Sequence, residues 1–205
     1  MKSGVYILNH DTGFKNIKKD LLKRYGSETT ERIWQRAGAN LEELRTRYAN
    51  LPKEVKVHTD GNMFRNAALY LAIKEEYPDD AMAVLEQGVL AEGVRIAKLF
   101  STIAKIPGAK FIVLPVFSKM LDSFFGEDAG FKSIRHCSAK DEVRFDITQC
   151  PYCKYLTEIG CSELVHIFCD IDEHIYGNFP GFEFERTGTI GTGFDKCDFC
   201  LRRLK

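Results

Sequence analysis

Hydrophobic residues recur at helical spacing through the first 129 residues of the chain. Phe14, Ile17 and Leu21 lie on one face of a predicted helix that Gly26 should end. A second helix should follow and stop near Pro52, where a proline ends the helical pattern. The same spacing predicts three more helices, over residues 63–77, from Pro78 to a close at Pro107-Gly108, and over residues 113–125.

After residue 130 the hydrophobic period changes to two, which indicates strands. Alternating runs over 131–137 and 143–148 predict a hairpin, and Pro151 occupies the favoured first position of a helix. A second helix over 162–175 and strands around Phe184 and Phe199 complete the pattern. We therefore predict an α+β fold, in which an N-terminal helical part packs with a C-terminal antiparallel sheet ordered strand-strand-helix-helix-strand-strand along the chain. We expect a single domain over 1–205, with a helical half over 1–129 and a sheet-and-helix half over 130–205.

Charge and hydropathy exclude several classes of partner. The 29 basic and 29 acidic residues cancel, whereas a nucleic-acid binder needs a basic excess to contact phosphates. No run approaches the ~20 apolar residues that span a bilayer, and the start of the chain lacks the apolar stretch of a signal peptide. We therefore expect no nucleic acid, no membrane and a cytoplasmic location, where thiols stay reduced.

The seven cysteines all lie between Cys137 and Cys200, and they carry the main chemical signal. Cys150 and Cys153 flank the start of a predicted helix, whose positive end should lower a thiol pKa. Their Cys-Pro-Tyr-Cys motif is also that of glutaredoxins, so thiol-disulfide exchange is a minor alternative. With Cys197 and Cys200 they form two Cys-x-x-Cys pairs, the ligand count of a four-thiolate zinc site. In a strand, Cys197 and Cys200 would point to opposite faces, which makes joint ligation awkward.

The helix over 162–176 carries polar groups beside its apolar stripe. Cys169, Asp172 and Tyr176 follow one another at steps of three and four, so they share one helix face. A thiol, a carboxylate and a phenol beside a core-facing stripe are typical of a pocket wall. The following segment, from Arg186 to Cys197, is rich in Gly and Thr, whose amides and hydroxyls can hold a carboxylate beside the arginine.

Taken in order, these pieces resemble the L-2-amino-thiazoline-4-carboxylic acid hydrolase family. The resemblance extends over most of the chain and rests on the following ordered segments: Ala67-Ala68-Leu69-Tyr70-Leu71, Cys150-Pro151-Tyr152, Glu158-Ile159-Gly160, Glu163-Leu164, Phe168-Cys169-Asp170-Ile171-Asp172, Phe184-Glu185-Arg186-Thr187, Thr189-Ile190-Gly191, Gly193 and Cys197-Asp198-Phe199. Cys153 and Cys200 depart from the family pattern.

The resemblance implies a hydrolase that opens a 2-aminothiazoline-4-carboxylate-like cyclic amidine to an N-carbamoyl-cysteine-type product. Its electrophilic ring carbon suits a thiolate nucleophile or a water activated by a carboxylate. Catalysis would fall to Cys169 or Cys150 with Asp172, and Arg186 and Thr187 would bind the substrate carboxylate. The resemblance also adds Cys197 to the pocket, and the helix-face argument adds Tyr176.

We expect no cofactor and no metal, and we leave a homo-oligomer open. The alternative is a sensor-like protein that binds a small ligand, or zinc through Cys150, Cys153, Cys197 and Cys200.

Overall fold

A computed structural model describes residues 2–106, 108–137 and 139–204 of the chain. These residues form two compact units. The first comprises the residues up to Leu51 together with Lys56–Glu92, and the second comprises Pro52–Val55 and the residues from Gly93 onwards. The units therefore divide near residue 92, whereas the sequence pattern changes near residue 130. The prediction of a single domain stays a prediction.

All elements from the start of the described chain to residue 104 are helical. They are α1 (Gly4–His10), α2 (Thr12–Arg47), α3 (Lys53–His58), a π-helical turn (Thr59–Met63), α4 (Phe64–Glu76) and α5 (Ala81–Ala104). The predicted break at Gly26 is confirmed, because this residue has φ 78° and ψ 176° and kinks α2. Only glycine adopts such a positive φ without strain. The predicted helix end at Pro107 lies outside the described residues, and α5 ends three residues before it.

The first unit is held together by the packing of α1 and α4 on α2. Trp34 is fully buried, and its indole N–H donates a hydrogen bond to Asn9 Oδ1 at 2.9 Å. The backbones of α1 and α2 approach closely where Gly4 faces Gly38, since a Cβ on Gly4 would lie 2.1 Å from the Gly38 carbonyl oxygen. The two glycines therefore permit a helix contact that any larger residue would prevent.

The second unit combines helices with an antiparallel sheet, which confirms the predicted α+β class. Its remaining elements are α6 (Ala109–Phe124), β1 (Lys132–Arg135), β2 (Glu142–Gln149), α7 (Pro151–Glu158), α8 (Val165–Tyr176), β3 (Phe182–Glu185) and β4 (Cys197–Arg203). Short 3₁₀ turns lie at 127–129, 162–164 and 190–192. Among the described residues the sheet order is β1-β2-β4-β3, and each neighbouring pair is antiparallel. The predicted order of elements along the chain is also confirmed.

The two faces of this sheet differ in chemistry because successive side chains alternate between them. The inner face buries Phe145 and Phe199, whose rings stack at 4.9 Å. The outer face carries an ion-pair network in which Arg202 binds Glu142 at 3.0 Å and Glu183 at 3.0 Å. Leu114 and Leu121 of α6 belong to the inner-face core. Residues 109–124, which the sequence pattern assigns to the helical half, thus contribute to the core of the sheet.

Within the described part of the chain, no helix combines the length and the hydropathy that crossing a bilayer requires.

Candidate functional site

Two thiols meet where β2 passes into α7. Cys150 is the N-cap residue of α7 and Cys153 lies in its first turn, and their side chains are hydrogen-bonded to each other. This hydrogen bond and burial raise the pKa of Cys150 well above its usual value. The pKa of Cys153 is lowered by the same hydrogen bond, although burial opposes this effect. Sequence reasoning expected the helix end to lower a thiol pKa without deciding between the two, and Cys153 is the thiol that ionises more readily.

Two further thiols lie beside this pair. Cys169 and Cys197 both lie close enough to Cys153 to interact with it electrostatically, and Cys150 interacts with each of them in the same way. Cys169 comes from α8 and Cys197 from the inner face of β4. We call Cys150, Cys153, Cys169 and Cys197 the thiol cluster. The structure therefore brings together three of the predicted site cysteines, which lie up to 47 positions apart in the sequence.

Backbone and hydroxyl donors reach the two thiols of α8 and β4. Burial raises the pKa of Cys169, while a hydrogen bond from the Thr189 hydroxyl opposes this change. Burial raises the pKa of Cys197 to about 12, even though the Ile190 N–H donates to its sulfur at 3.2 Å. Both thiols are consequently protonated at neutral pH, and a nearby base must take the proton before either can attack as a thiolate.

Cys200 lies apart from the thiol cluster. It is on the outer face of β4, where the guanidinium groups of Arg144 and Arg202 lie 3.5 and 3.9 Å from its sulfur. Cys197 and Cys200 are three residues apart in one strand, and this odd spacing turns their side chains to opposite faces. The alternative zinc set of Cys150, Cys153, Cys197 and Cys200 is therefore not assembled. Among the described residues, no group of three or more His, Cys, Asp or Glu is arranged to hold a metal ion.

Asp172 lies one helical turn after Cys169 on α8, next to a buried arginine. Arg186 keeps only 5% of its side chain exposed, and its Nη1 is 3.7 Å from Asp172 Oδ2. The same nitrogen donates to the Cys169 carbonyl oxygen at 2.9 Å, and Nη2 binds Glu173 at 3.1 Å. Burial raises the pKa of Asp172 to about 7, although the Arg186 charge opposes the change. A carboxyl group with this pKa can take up and release a proton at neutral pH.

Tyr176, the last residue of α8, lies between Asp172 and an apolar cavity of about 470 Å³. Burial and the Asp172 charge raise the pKa of its phenol well above the usual value. Its ring contacts Phe117 and Phe184 at centroid distances of 5.4 and 5.5 Å. The described residues that line the cavity include Tyr176 but no cysteine. The cavity and the thiol cluster are thus separate regions that adjoin α8.

Thr187 was predicted to bind the substrate carboxylate, but its donors are engaged within the protein. Its hydroxyl donates to Asp198 Oδ2 at 2.5 Å, and its N–H donates to Asp198 Oδ1 at 2.9 Å. The Gly188 N–H also donates to Asp198, at 3.0 Å. Although burial opposes the effect, these hydrogen bonds lower the pKa of Asp198. Thr187 therefore anchors its own loop to β4.

Sequence reasoning did not assign roles to Thr189, Asp198 or Glu173. Thr189 and Asp198 occur in segments that the family resemblance already associated with the site, but the sequence did not indicate which groups they contact. Glu173 follows Asp172 directly, and only the three-dimensional approach of Arg186 shows that both carboxylates share one guanidinium.

The second unit is an α+β domain in which a partly buried thiol cluster lies beside a carboxyl group whose pKa is raised to about 7. A family model described as L-2-amino-thiazoline-4-carboxylic acid hydrolase matches residues 56–201. The chain belongs to this family. No curated protein and no solved structure matches it.

Proposed function

We propose that this chain is a hydrolase that opens a small cyclic amidine of the 2-aminothiazoline-4-carboxylate type to an N-carbamoyl-cysteine-type product. Membership of the family supports the reaction class. One observation carries the proposal furthest: Asp172, with a pKa of about 7, lies one turn from the Cys169 thiol on the same helix face. Such a pair joins a nucleophile to a base that is active at neutral pH.

Asp172 has two tasks in this proposal. As a carboxylate it attracts the protonated amidine nitrogens of the substrate, and as a base it accepts a proton from the attacking group. Arg186 is a positioning residue, because its hydrogen bond to the Cys169 carbonyl oxygen and its contact with Asp172 hold these two residues in register. The substrate carboxylate would lie toward this guanidinium, which has five N–H donors.

The reaction proceeds in two steps. Cys169 Sγ attacks the ring carbon between the two nitrogens and the sulfur, and Asp172 takes the thiol proton. The bond between that carbon and the ring sulfur breaks, the released sulfur is protonated, and an S-amidino adduct remains on Cys169. Water then attacks the adduct carbon and Cys169 leaves with a proton, so that the oxygen of water becomes the carbonyl oxygen of the product.

Cys150 is the other predicted nucleophile, and its hydrogen bond to Cys153 gives it a different task. The Cys150 thiol donates the hydrogen bond of this pair to the Cys153 sulfur, since its own pKa is raised while that of Cys153 is lowered. Cys197 is a second thiol of the pocket wall. Replacement of each cysteine separates these roles.

The test is the turnover of 2-aminothiazoline-4-carboxylate, followed by the release of its thiol. The Cys169→Ser variant should lose about 10³-fold or more of kcat/KM, and the wild-type chain should carry the S-amidino adduct in mass spectrometry. Cys200→Ser is the control, because Cys200 is a buried thiol on the face of β4 opposite the thiol cluster. Comparable, mild losses at Cys150, Cys153 and Cys169 would refute a thiol nucleophile. Absence of turnover by the folded wild-type chain would refute the substrate class.

A further inference from the structure

The cavity beside Tyr176 has the properties of a site for a hydrocarbon group. Its volume of about 470 Å³ falls in the range of about 300–1,000 Å³ that is typical of ligand pockets. The described lining residues come from α5, α6 and α8, from the residues that follow each of these helices, and from β4. The phenol of Tyr176 is their one polar side-chain group besides the thioether of Met120. A polar ligand would lose its hydrogen bonds to water here without replacement.

The cavity opens to solvent among exposed apolar side chains. Ile106 and Ile112 line it and remain 58% and 62% exposed. Val116 and Met120, one and two turns further along α6, are also exposed lining residues. Contiguous exposed apolar residues around a cavity mark a binding site more often than a simple surface. An apolar ligand would cover these side chains as well as fill the cavity.

Cationic residues adjoin the cavity lining in the sequence, since Lys105 precedes Ile106 and Lys110 follows Ala109. Between Gly93 and Leu121 the sequence contains five Lys or Arg residues and no Asp or Glu. Lys110 Nζ and the Arg203 guanidinium both lie over the Phe111 ring, at 5.4 and 4.9 Å from its centroid. Within the described part of the chain, Lys105 and Lys110 form no ion pair with a carboxylate. An anionic group at the opening would therefore meet cations that the protein itself leaves without a carboxylate partner.

We infer that this cavity binds a fatty carboxylate, with its hydrocarbon chain against the apolar lining and its head group beside Lys110 and Arg203. The volume and apolar lining of the cavity favour a hydrocarbon chain as ligand, and the cationic residues at its opening favour a negatively charged head group. The site is distinct from the thiol cluster, and the inference goes beyond the proposed hydrolysis. It stands if the hydrolase proposal fails, because no step of it uses Asp172 or a cysteine.

The test is isothermal titration calorimetry of the full chain with decanoate, dodecanoate and tetradecanoate, each below its micelle concentration. We expect one saturable site, with an affinity that rises about fourfold for each added methylene until the cavity is full. Dodecanoate should bind about fivefold more tightly than 1-dodecanol at low salt, and this preference should shrink as salt is added. Equal affinity for the acid and the alcohol would overturn the assignment of the head-group site.

Two variants examine the cavity and one examines its opening. Ala109→Phe fills the cavity from its lining, and Met120→Glu introduces a like charge beside the ligand, with Met120→Gln as its neutral control. Both Ala109→Phe and Met120→Glu should weaken dodecanoate binding at least tenfold, while circular dichroism verifies the fold. Lys110→Glu should weaken the binding of dodecanoate but not that of 1-dodecanol. Lys19→Glu, a substitution at an exposed position of the first unit, should change neither affinity.

Other occupants of this surface give different results. A stable dimer in sedimentation that binds no dodecanoate would assign the surface to a second copy of the chain and overturn the inference. Binding to anionic vesicles without binding of the monomeric carboxylate would likewise overturn it. Dodecanoate affinity that Ala109→Phe and Met120→Glu both leave unchanged would place the ligand elsewhere.

Discussion

Asp172→Asn should make the folded chain more stable at pH 8 while removing most of its activity. Burial raises the pKa of Asp172 from 3.8 to about 7. The folded chain therefore holds a proton on this residue between pH 4 and 7 that the unfolded chain has released. Stability then falls as the pH rises through this interval, and the loss is complete above pH 7.

The size of the effect follows from the pKa difference. Each factor of ten in acidity is worth about 1.4 kcal/mol, so the ionised Asp172 would destabilise the fold by up to about 4 kcal/mol. The side chain keeps 29% of its surface exposed, and partial solvation reduces the expected penalty to about 2–4 kcal/mol. Asparagine removes the charge with little change of shape. The variant should exceed the wild type by this amount at pH 8 and equal it near pH 4.

The assay is urea unfolding of both proteins at pH 4, 6 and 8, combined with a pH profile of kcat/KM. The wild-type profile should rise with pH through about 7, as Asp172 becomes a base, and Asp172→Asn should lose this inflection and about 10²- to 10⁴-fold of activity. Glu173→Gln is the matched control, because its carboxylate binds the same guanidinium but is exposed. A stability difference that stays constant from pH 4 to 8 would refute the reasoning, and so would an unchanged inflection in the variant.

Three further predictions concern the thiol cluster and the loop between β3 and β4. In Gly191→Ala the new Cβ would lie 2.7 Å from Val165 Cγ1 and 3.0 Å from Cys169 Sγ, so we expect about 1–3 kcal/mol lower stability in urea unfolding and reduced turnover. Cys153 should react with iodoacetamide at lower pH in the folded chain than in the chain unfolded by urea, because folding lowers its pKa; peptide mass spectrometry would contradict this if the unfolded chain reacted at the lower pH. Asp198→Asn should raise KM and cost about 1–3 kcal/mol through weakened hydrogen bonds to its loop, whereas Asp195→Asn in the same loop should change neither.

The sequence predicts the elements of this fold well where a local signal marks them. Gly26 ends a helical pattern and adopts a positive φ, and Pro151 begins α7 as its position requires. The change of hydrophobic period identifies the strands. The boundary between compact units is different, because it depends on which surfaces pack together. Nothing in the local pattern of α6 indicates that its buried leucines join the core of the sheet.

The candidate site could be predicted as a set of residues but not as a set of contacts. Helical spacing places Cys169 and Asp172 on one face, and strand alternation separates Cys197 from Cys200. Which thiol ionises depends on burial and on the direction of a hydrogen bond, and neither is encoded in the spacing of Cys150 and Cys153. The sequence motif therefore indicated the cysteine pair and a lowered thiol pKa, but not which of the two thiols has it.

The same alternation explains how one strand fixes two parts of the site. Cys197 on the inner face of β4 accepts the Ile190 N–H, while its neighbour Asp198 on the other face accepts the N–H groups of Thr187 and Gly188. The loop between β3 and β4 is thus attached to both faces of β4 by adjacent residues. Its hold on Cys169 through Thr189 then depends on that double attachment. A single added or deleted residue in this strand would exchange the two faces and release the loop from both.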